Sequence, residues 1–147
     1  MNNQDRDRFL LAFVAYAEAR NQGQEGIRGQ IHSVLNRFRE KDWDAGKTVA
    51  ATLFKPYAYS ALNSKDPNRV AAATVDMEDF TWLLCMAEAD AALLGTSDDP
   101  TDGATHYYVS GSPEPDWVSG VRGGRQVAAP AIFCKRIKDH LFYRGVK

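Results

Sequence analysis

Residues 5–20 read DRDRFLLAFVAYAEAR, and this stretch decides the fold because it predicts a central helix. Asp5 is a suitable cap for the first turn. Large apolar side chains then cover most of the helix circumference, namely Phe9, Leu10, Leu11, Phe13, Val14 and Tyr16. A helix that is apolar on most sides is buried among other elements. We therefore expect the rest of the chain to pack around it.

The same stretch is not expected to be an export signal or a membrane span. The charges of Asp5, Arg6, Asp7 and Arg8 cancel, whereas a signal peptide begins with net positive charge. The apolar run over residues 9–17 is also shorter than the roughly 20 residues that cross a membrane. No other stretch approaches that length, so the sequence predicts no membrane insertion.

Two further helices and a loop are predicted in the next part of the chain. A second helix covers residues 25–40, where apolar residues keep helical spacing on one face. A short helix covers residues 48–53. An aromatic and polar loop with two prolines follows over residues 54–68, and loops of this composition often line clefts.

The last long helix begins near Val70 or Glu78 and ends at Leu94, because Gly95 is a typical residue after a helix end. Its helical spacing predicts a core-facing side made of Phe80, Leu83, Leu84, Ala87, Ala91 and Leu94.

The pattern changes to strands after Gly95. Residues 105–109 and 131–137 are strand-like, and the Pro- and Gly-rich residues 110–130 between them are long enough to predict a functional loop. The expected fold is therefore α+β, mainly helical with a small antiparallel sheet near the C-terminal end. Residues 1–147 fit one such domain.

Composition narrows the classes of partner and chemistry. Apolar residues make up 44% and charged residues 25%, as in an ordinary globular domain. The net charge of −1 gives no support for nucleic acid or anionic lipid as a partner. Cys85 and Cys134 lie in apolar stretches without a CxxC pair, so buried free thiols are expected rather than a disulfide, a metal site or a peptidase nucleophile.

Glu18 is the candidate for acid chemistry. It follows Leu11, Val14 and Ala15 on one helical line, so its carboxyl group emerges from an apolar stripe. Desolvation there raises the pKa of a carboxyl group, which then holds a proton as a general acid suited to glycoside cleavage. The alternative is an ion pair with Arg20 or Arg37, and position alone favours that alternative because structural ion pairs are common.

Several segments in order resemble the cell wall hydrolase family typified by spore-cortex lytic enzymes. The first blocks are Glu18-Ala19-Arg20, Glu25-Gly26 and Val34-Leu35-Asn36-Arg37. The later ones are FKPYAYS at residues 54–60, DPTDGATHYY at residues 99–108, Trp117, and IKDHLFY at residues 137–143. The family signature corresponding to the longest block is DPTGGATHYY. Together these blocks cover nearly the whole chain.

This resemblance implies a lysozyme-like domain, related to lytic transglycosylases, that cuts between N-acetylmuramic acid and N-acetylglucosamine in peptidoglycan. It implies that Glu18 protonates the glycosidic oxygen and then helps close a 1,6-anhydro ring, without a second carboxylate, a metal or a cofactor. Two alternatives stay open. One is lysozyme-type hydrolysis, and the other is a non-catalytic wall-binding protein of a phage particle.

The chain also departs from the family pattern. Asn21-Gln22 replaces the usual Gly-Glu, which removes a second acid near the site. Ala58 stands where glutamine is usual, Tyr59 replaces phenylalanine, and Lys138 replaces a frequent glycine. These changes leave Glu18 in place but predict altered sugar contacts.

Other polar and aromatic residues are candidate substrate contacts, namely Asn36, Tyr59, Ser60, His106, Tyr107, Tyr108, Trp117 and His140. Asn36 is expected to orient the Glu18 carboxyl group or a sugar acetamido group. Strand alternation places Tyr107 and Tyr108 on opposite faces, so only one of the two is expected to meet substrate.

A metal site is not expected. His106 and His140 would suit a zinc amidase, but the chain has no HExxH motif, and His32 is expected to face out of a different segment. Structural hydrogen bonds from the histidines are expected instead.

The biological setting is inferred by elimination. A wall hydrolase without an export signal suits a phage endolysin or a phage-particle component. Such a protein is made in the host cytoplasm, acts in the periplasm or cell wall, and depends on a holin if it is an endolysin. A bacterial catalytic fragment would have the same sequence features, and a monomer is expected.

Overall fold

Helix α1, Asn3–Ala19, is the central element of the computed structural model, which describes residues 2–40, 45–55 and 58–147. Its cap is Asn2, whose side chain accepts a hydrogen bond from the Asp5 amide at 2.8 Å, so the prediction of Asp5 as cap is wrong. The buried residues of α1 lie in its C-terminal half, from Leu11 onward: Leu11, Ala12, Val14, Ala15, Ala17 and Ala19. The prediction of a central buried helix is confirmed.

The other helices surround α1. Helix α2, Gly23–Glu40, confirms the second predicted helix, and α3, Val49–Leu53, confirms the short one. The predicted loop over residues 54–68 contains a 3-10 turn at Ser60–Leu62, and α4, Pro67–Ala73, begins at its end. Pro56 and Tyr57 of this loop lie outside the described residues.

Helix α5, Phe80–Leu94, is present, but the prediction of its core-facing side is wrong. The buried side carries Trp82, Cys85, Glu88, Ala89 and Ala92. Four of the six residues predicted to face the core are exposed, namely Phe80, Leu83, Ala87 and Leu94. The physical reason is that α5 is apolar on most sides, so periodicity alone does not decide which side meets α1.

A pair of hydrogen-bonded partners explains how Glu88 is accommodated on the buried side of α5. Arg28 donates to both of its carboxylate oxygens at 2.9 and 3.0 Å, and Gln24 donates at 2.7 Å. Burial opposes ionisation of Glu88, but these donors outweigh it and lower the pKa. The carboxylate therefore joins α5 to α2.

The strands form a three-stranded antiparallel sheet in the order β1-β5-β4. Strand β1 is His106–Val109, β4 is Ile132–Ile137 and β5 is His140–Arg144. The small antiparallel sheet is confirmed, but its central strand β5 was predicted only as a sequence motif. The predicted loop over residues 110–130 contains α6, Asp116–Ser119, and a hairpin of β2, Val121–Arg122, with β3, Arg125–Gln126.

A tight turn at Asp99 connects the helices to the sheet. The Asp99 carboxylate accepts hydrogen bonds from the Thr101 amide and hydroxyl at 2.8 and 2.6 Å and from the Gly103 amide at 3.1 Å. The Asn36 side-chain amide adds a fourth at 2.8 Å. Asp102, at the place of a family glycine, has φ 58, a left-handed conformation that aspartate tolerates. The bonds from Thr101 and Gly103 shape the turn, and the bond from Asn36 holds it to α2.

The whole arrangement is one α+β domain. Cys85 is buried and Cys134 is half-buried, and both are free thiols. None of the described helices combines the length and the apolar character needed to cross a membrane.

Candidate active site

The carboxyl group of Glu18 lies where the end of α1 meets the sheet and the 3-10 turn. Its Oε1 accepts a hydrogen bond from the Ala61 amide at 3.0 Å, and its Oε2 accepts one from the Tyr107 hydroxyl at 3.1 Å. Each oxygen keeps a second lone pair. The group is thus fixed in direction while remaining able to carry a proton.

The pKa of Glu18 depends on effects that raise it and effects that lower it. Burial raises its pKa, and the hydrogen bonds from Ala61 and Tyr107 offset only part of that rise. The nearby negative charge of Asp66 raises the pKa further, while a hydrogen bond with Ser60 lowers it. The net direction is upward, as predicted for a general acid in an apolar setting.

The alternative of an ion pair at Glu18 is not what the structure shows. Arg20 donates to the carbonyl oxygens of Tyr16 and Ala17 and to the Asn68 side chain at 2.8 Å. Arg37 donates to the Thr105 carbonyl oxygen at 3.0 Å. Among the described residues, Glu18 takes part in no salt bridge.

Two clefts open on either side of Glu18. The larger cleft has a volume of about 300 Å³ and is lined by Glu18 with Arg37, Ala58, Tyr59, Ser60, Tyr107, Tyr108, Val109 and Trp117. The smaller cleft has a volume of about 200 Å³ and is lined by Glu18 with Ala17, Arg20, Asn21, Gln22, Asn68, Val109, Asp139 and His140. Glu18 and Val109 belong to both, so the carboxyl group lies at their junction.

The two tyrosines of β1 lie on opposite faces of the sheet, as strand alternation predicts. The ring of Tyr107 stacks on His140, with centroids 4.8 Å apart, and burial raises its pKa well above the ordinary value. Tyr107 is therefore a hydrogen-bond donor at any physiological pH. The ring of Tyr108 lies 6.0 Å from Trp117 and 5.9 Å from Tyr143.

The family assignment comes from sequence comparison. The cell wall hydrolase family matches residues 21–143. The chain belongs to this family. The matched region begins after Glu18, so the role of that residue depends on its geometry. No curated protein sequence matches the chain significantly.

A solved structure has the same fold as this cell wall hydrolase. It is the crystal structure of the catalytic domain of the Bacillus cereus SleB protein. The likeness covers 98% of both chains, with a TM-score of 0.66 and 19% sequence identity. At this identity the likeness establishes the fold, and the predicted α+β class, mainly helical with a small antiparallel sheet, is confirmed.

Two predicted site residues, Asn36 and His106, lie away from the clefts of this hydrolase. Both N–H groups of Asn36 are used, by Asp99 and by the Ala104 carbonyl oxygen at 3.0 Å, so its predicted hydrogen bond to Glu18 is not made. His106 is buried, with its Nδ1 2.8 Å from the Thr105 hydroxyl, and lines neither cleft. Both residues are placed to support β1 and the turn before it.

Tyr59 lines the larger cleft but is only 4% exposed, and the Arg37 guanidinium lies over its ring at 5.2 Å. Little of that ring is left for a sugar. Tyr107 and Tyr108 both line the larger cleft and are half-buried, but the Tyr107 hydroxyl is engaged by Glu18. The other predicted contacts in this cleft are the exposed Ser60 and the half-buried Tyr108 and Trp117. They remain the best candidates for stacking and hydrogen bonding to substrate.

The histidines divide between structural and cleft positions. His32 is buried and its Nε2 lies 2.8 Å from the Ser97 hydroxyl, so the prediction that it faces outward is wrong. His140 lines the smaller cleft, and burial lowers its pKa to about 4, which keeps the ring neutral. Its Nδ1 is buried without a hydrogen-bond partner in the described part of the chain. No group of metal ligands occurs among the described residues.

The smaller cleft also contains residues that sequence reasoning missed as a site. Gln22 accepts a hydrogen bond from the Asp139 amide at 3.0 Å and donates to its carboxylate at 3.3 Å. These bonds join the start of α2 to the β4–β5 turn, where Lys138 has φ 49. The sequence signal for these residues was the departure from the family pattern at Asn21-Gln22. A motif position can still line the cleft when its acid is replaced by an amide.

Proposed function

We propose that the protein cleaves the peptidoglycan glycan strand between N-acetylmuramic acid and N-acetylglucosamine, with Glu18 as the acid. The observation that carries this proposal is the half-buried Glu18 carboxyl group, with a raised pKa, at the junction of two clefts. A glycosidic bond is cut in the interior of a polymer, so sugars must bind on both sides of the acid. Membership of the cell wall hydrolase family supports this substrate.

The arrangement suits a mechanism with a single carboxyl group. Protonated Glu18 donates its proton to the glycosidic oxygen, and the leaving sugar departs with that oxygen. The resulting carboxylate is stabilised by the Ala61 amide and the Tyr107 hydroxyl. It then accepts the proton of the muramic acid C6 hydroxyl as that oxygen bonds to C1. The product is a 1,6-anhydro end, and no water is consumed.

Hydrolysis is the second candidate because another carboxylate lies in the same cleft. Asp139 lines the smaller cleft and is held by Gln22. Inverting glycosidases use a second carboxylate that activates water on the opposite face of the sugar. In that case Asp139 is the base, and the product is a reducing muramic acid.

Mass spectrometry of the soluble fragments tests the proposal and separates its two forms. Purified peptidoglycan is digested with the protein and the fragments are measured without chemical reduction. Transglycosylation predicts fragments one water lighter than the hydrolysis products. Intact glycan strands with released peptides would contradict both forms.

A further inference from the structure

The cationic residues of this chain are concentrated at one end of its sequence. Residues 117–147 contain seven of the 18 Lys and Arg residues but one of the 19 Asp and Glu residues, Asp139. All seven cationic side chains are exposed: Arg122, Arg125, Lys135, Arg136, Lys138, Arg144 and Lys147. The overall charge of −1 conceals this division. The exposed charged side chains of the hairpin and of strands β4 and β5 are therefore predominantly basic.

One pocket lies among these basic side chains. Its volume is about 290 Å³, and it is lined by Arg122, Val127, Ala128 and Lys147. Two cations thus share the pocket lining with two apolar residues, of which Val127 is 58% exposed. Arg125 stands directly opposite Arg122 in the β2–β3 hairpin.

The cations at this pocket lack the acidic partners that others have. Lys135 pairs with Glu25 at 3.2 Å, and Arg144 pairs with Asp102 at 3.5 Å. Across the described residues, no salt bridge involves Arg122, Arg125 or Lys147. Like charges directly opposite each other destabilise a strand pair. The pair Arg122–Arg125 thus lowers hairpin stability unless an anion binds between or beside the two side chains.

The pocket is rigidly connected to the wall of the larger cleft. Helix α6 carries Trp117 in that wall and ends at Ser119, and its cap residue Gly120 directly precedes β2. The Gly120 carbonyl oxygen accepts hydrogen bonds from the Val127 and Ala128 amides at 2.9 and 3.2 Å. A Cβ at Gly120 would collide with the Ala128 carbonyl group. A ligand in the pocket is therefore held in a fixed relation to the cleft wall.

We propose that this pocket binds the free carboxylates of the peptide stems carried by the muramic acid residues of the substrate. The proposal rests on the glycan-cleaving function above. Arg122 and Lys147 supply the charge, because guanidinium and ammonium groups bind carboxylates through charge-assisted hydrogen bonds. The apolar side chains of Val127 and Ala128 in the lining suit contact with the methyl groups of the alanine residues in such stems.

The test compares two forms of the same substrate, glycan strands with their peptide stems and strands stripped of stems by an amidase. We expect wild type to have a higher kcat/KM for stem-bearing strands, with the difference in KM. Neutralising both cations in R122Q/K147Q is expected to lower this preference about tenfold, and R122K is expected to retain most of it. The matched control is Lys47→Glu, an exposed cation on the helical side, which is expected to keep the wild-type preference.

Three outcomes would overturn the inference. These are equal kcat/KM of wild type for the two substrates, an undiminished preference in R122Q/K147Q, and a loss in that variant seen only with walls that carry teichoic acid. The last would assign the pocket to phosphates.

A binding measurement separates this inference from the proposed function. A free stem peptide with alanine, glutamate and diaminopimelate residues is titrated into the Glu18→Gln protein and into the same protein with R122Q/K147Q. We expect binding to the first that is weakened about tenfold in the second and by added salt. Stem binding without glycan cleavage by wild type would contradict the proposed function alone. Glycan cleavage without stem binding would contradict this inference alone.

Discussion

The Tyr107 hydroxyl donates a hydrogen bond to Oε2 of Glu18 at 3.1 Å, which links the first strand of the sheet to the end of α1. The two residues are 89 positions apart in sequence, so the contact exists only in the folded chain. Stacking on His140 fixes the tyrosine ring, and its raised pKa keeps the proton on its oxygen. The Glu18 carboxyl group is therefore oriented by a neutral hydrogen-bond donor, the Tyr107 hydroxyl, rather than by a cation.

Tyr107→Phe is expected to move the alkaline limb of the pH–rate profile to higher pH. The hydroxyl stabilises the ionised form of Glu18 and lowers its pKa, so removing it lets the carboxyl group keep its proton at higher pH. The measurement is the pH dependence of kcat/KM on purified walls. Tyr143→Phe removes a hydroxyl on the opposite sheet face and is expected to leave the limb in place. An unmoved or lowered limb in Tyr107→Phe would contradict this role.

Glu18→Gln is expected to unfold at a temperature equal to or higher than that of wild type at pH 7. The folded-state pKa of Glu18 is raised, so its contribution to stability is present at low pH and is lost as pH rises through the folded pKa. The neutral amide avoids that loss. Thermal unfolding at pH 4 and pH 7 should show the advantage of the variant growing with pH. A variant much less stable than wild type at pH 7 would be evidence against a raised pKa.

Asp99→Asn is expected to destabilise the fold by about 2 kcal/mol, because the carboxylate accepts four hydrogen bonds and the amide can accept fewer. Burial opposes ionisation of Asp99, but hydrogen bonds lower its pKa overall. Its stabilisation is therefore present above the ordinary pKa and is lost as pH falls through the folded value. Urea unfolding should show a gap between wild type and variant at pH 7 that narrows near pH 3. The exposed neighbour variant Asp98→Asn should show neither effect.

Trp117→Leu is expected to raise KM about tenfold with a smaller change in kcat. The indole lines the larger cleft, and its ring packs within 5.3 to 6.0 Å of the His106, Tyr108 and Tyr143 rings. Loss of this packing should also cost about 2 kcal/mol of stability. Steady-state kinetics on soluble glycan strands and urea unfolding measure the two effects. An unchanged KM in Trp117→Leu would contradict the prediction that Trp117 contacts the substrate.

The fold could be predicted from sequence where apolar spacing has one interpretation. The dense apolar run of α1 predicted a buried helix, and the one-sided apolar pattern of α2 predicted a helix that packs on one face. Helix α5 is apolar on most sides, so its buried side is decided by contacts with α1 and by the Arg28–Glu88 pair, which no local pattern reveals. Strand β5 was missed as a strand because it follows β4 after a turn of two charged residues, Lys138 and Asp139.

The candidate site could be predicted where a side chain projects from a regular element. Helical spacing placed Glu18 on an apolar stripe, and the family resemblance supplied its expected role as the acid. Strand alternation placed Tyr107 and Tyr108 on opposite faces but did not decide which of them lies beside Glu18. Asn36 was placed wrongly because its hydrogen-bond partner, Asp99, is 63 residues away in sequence. Gln22 and Asp139 meet only through the packing of a helix start against a turn, so their pairing required the folded structure.

Wall clearing by wild type and Glu18→Gln, with equal amounts of folded protein, tests the central claim most directly. Glu25→Gln is the matched control, because Glu25 is an exposed glutamate that pairs with Lys135 outside both clefts. We predict that wild type and Glu25→Gln clear purified walls, while Glu18→Gln is reduced at least about a thousandfold and remains folded. Equal clearing by wild type and a folded Glu18→Gln protein would contradict the account.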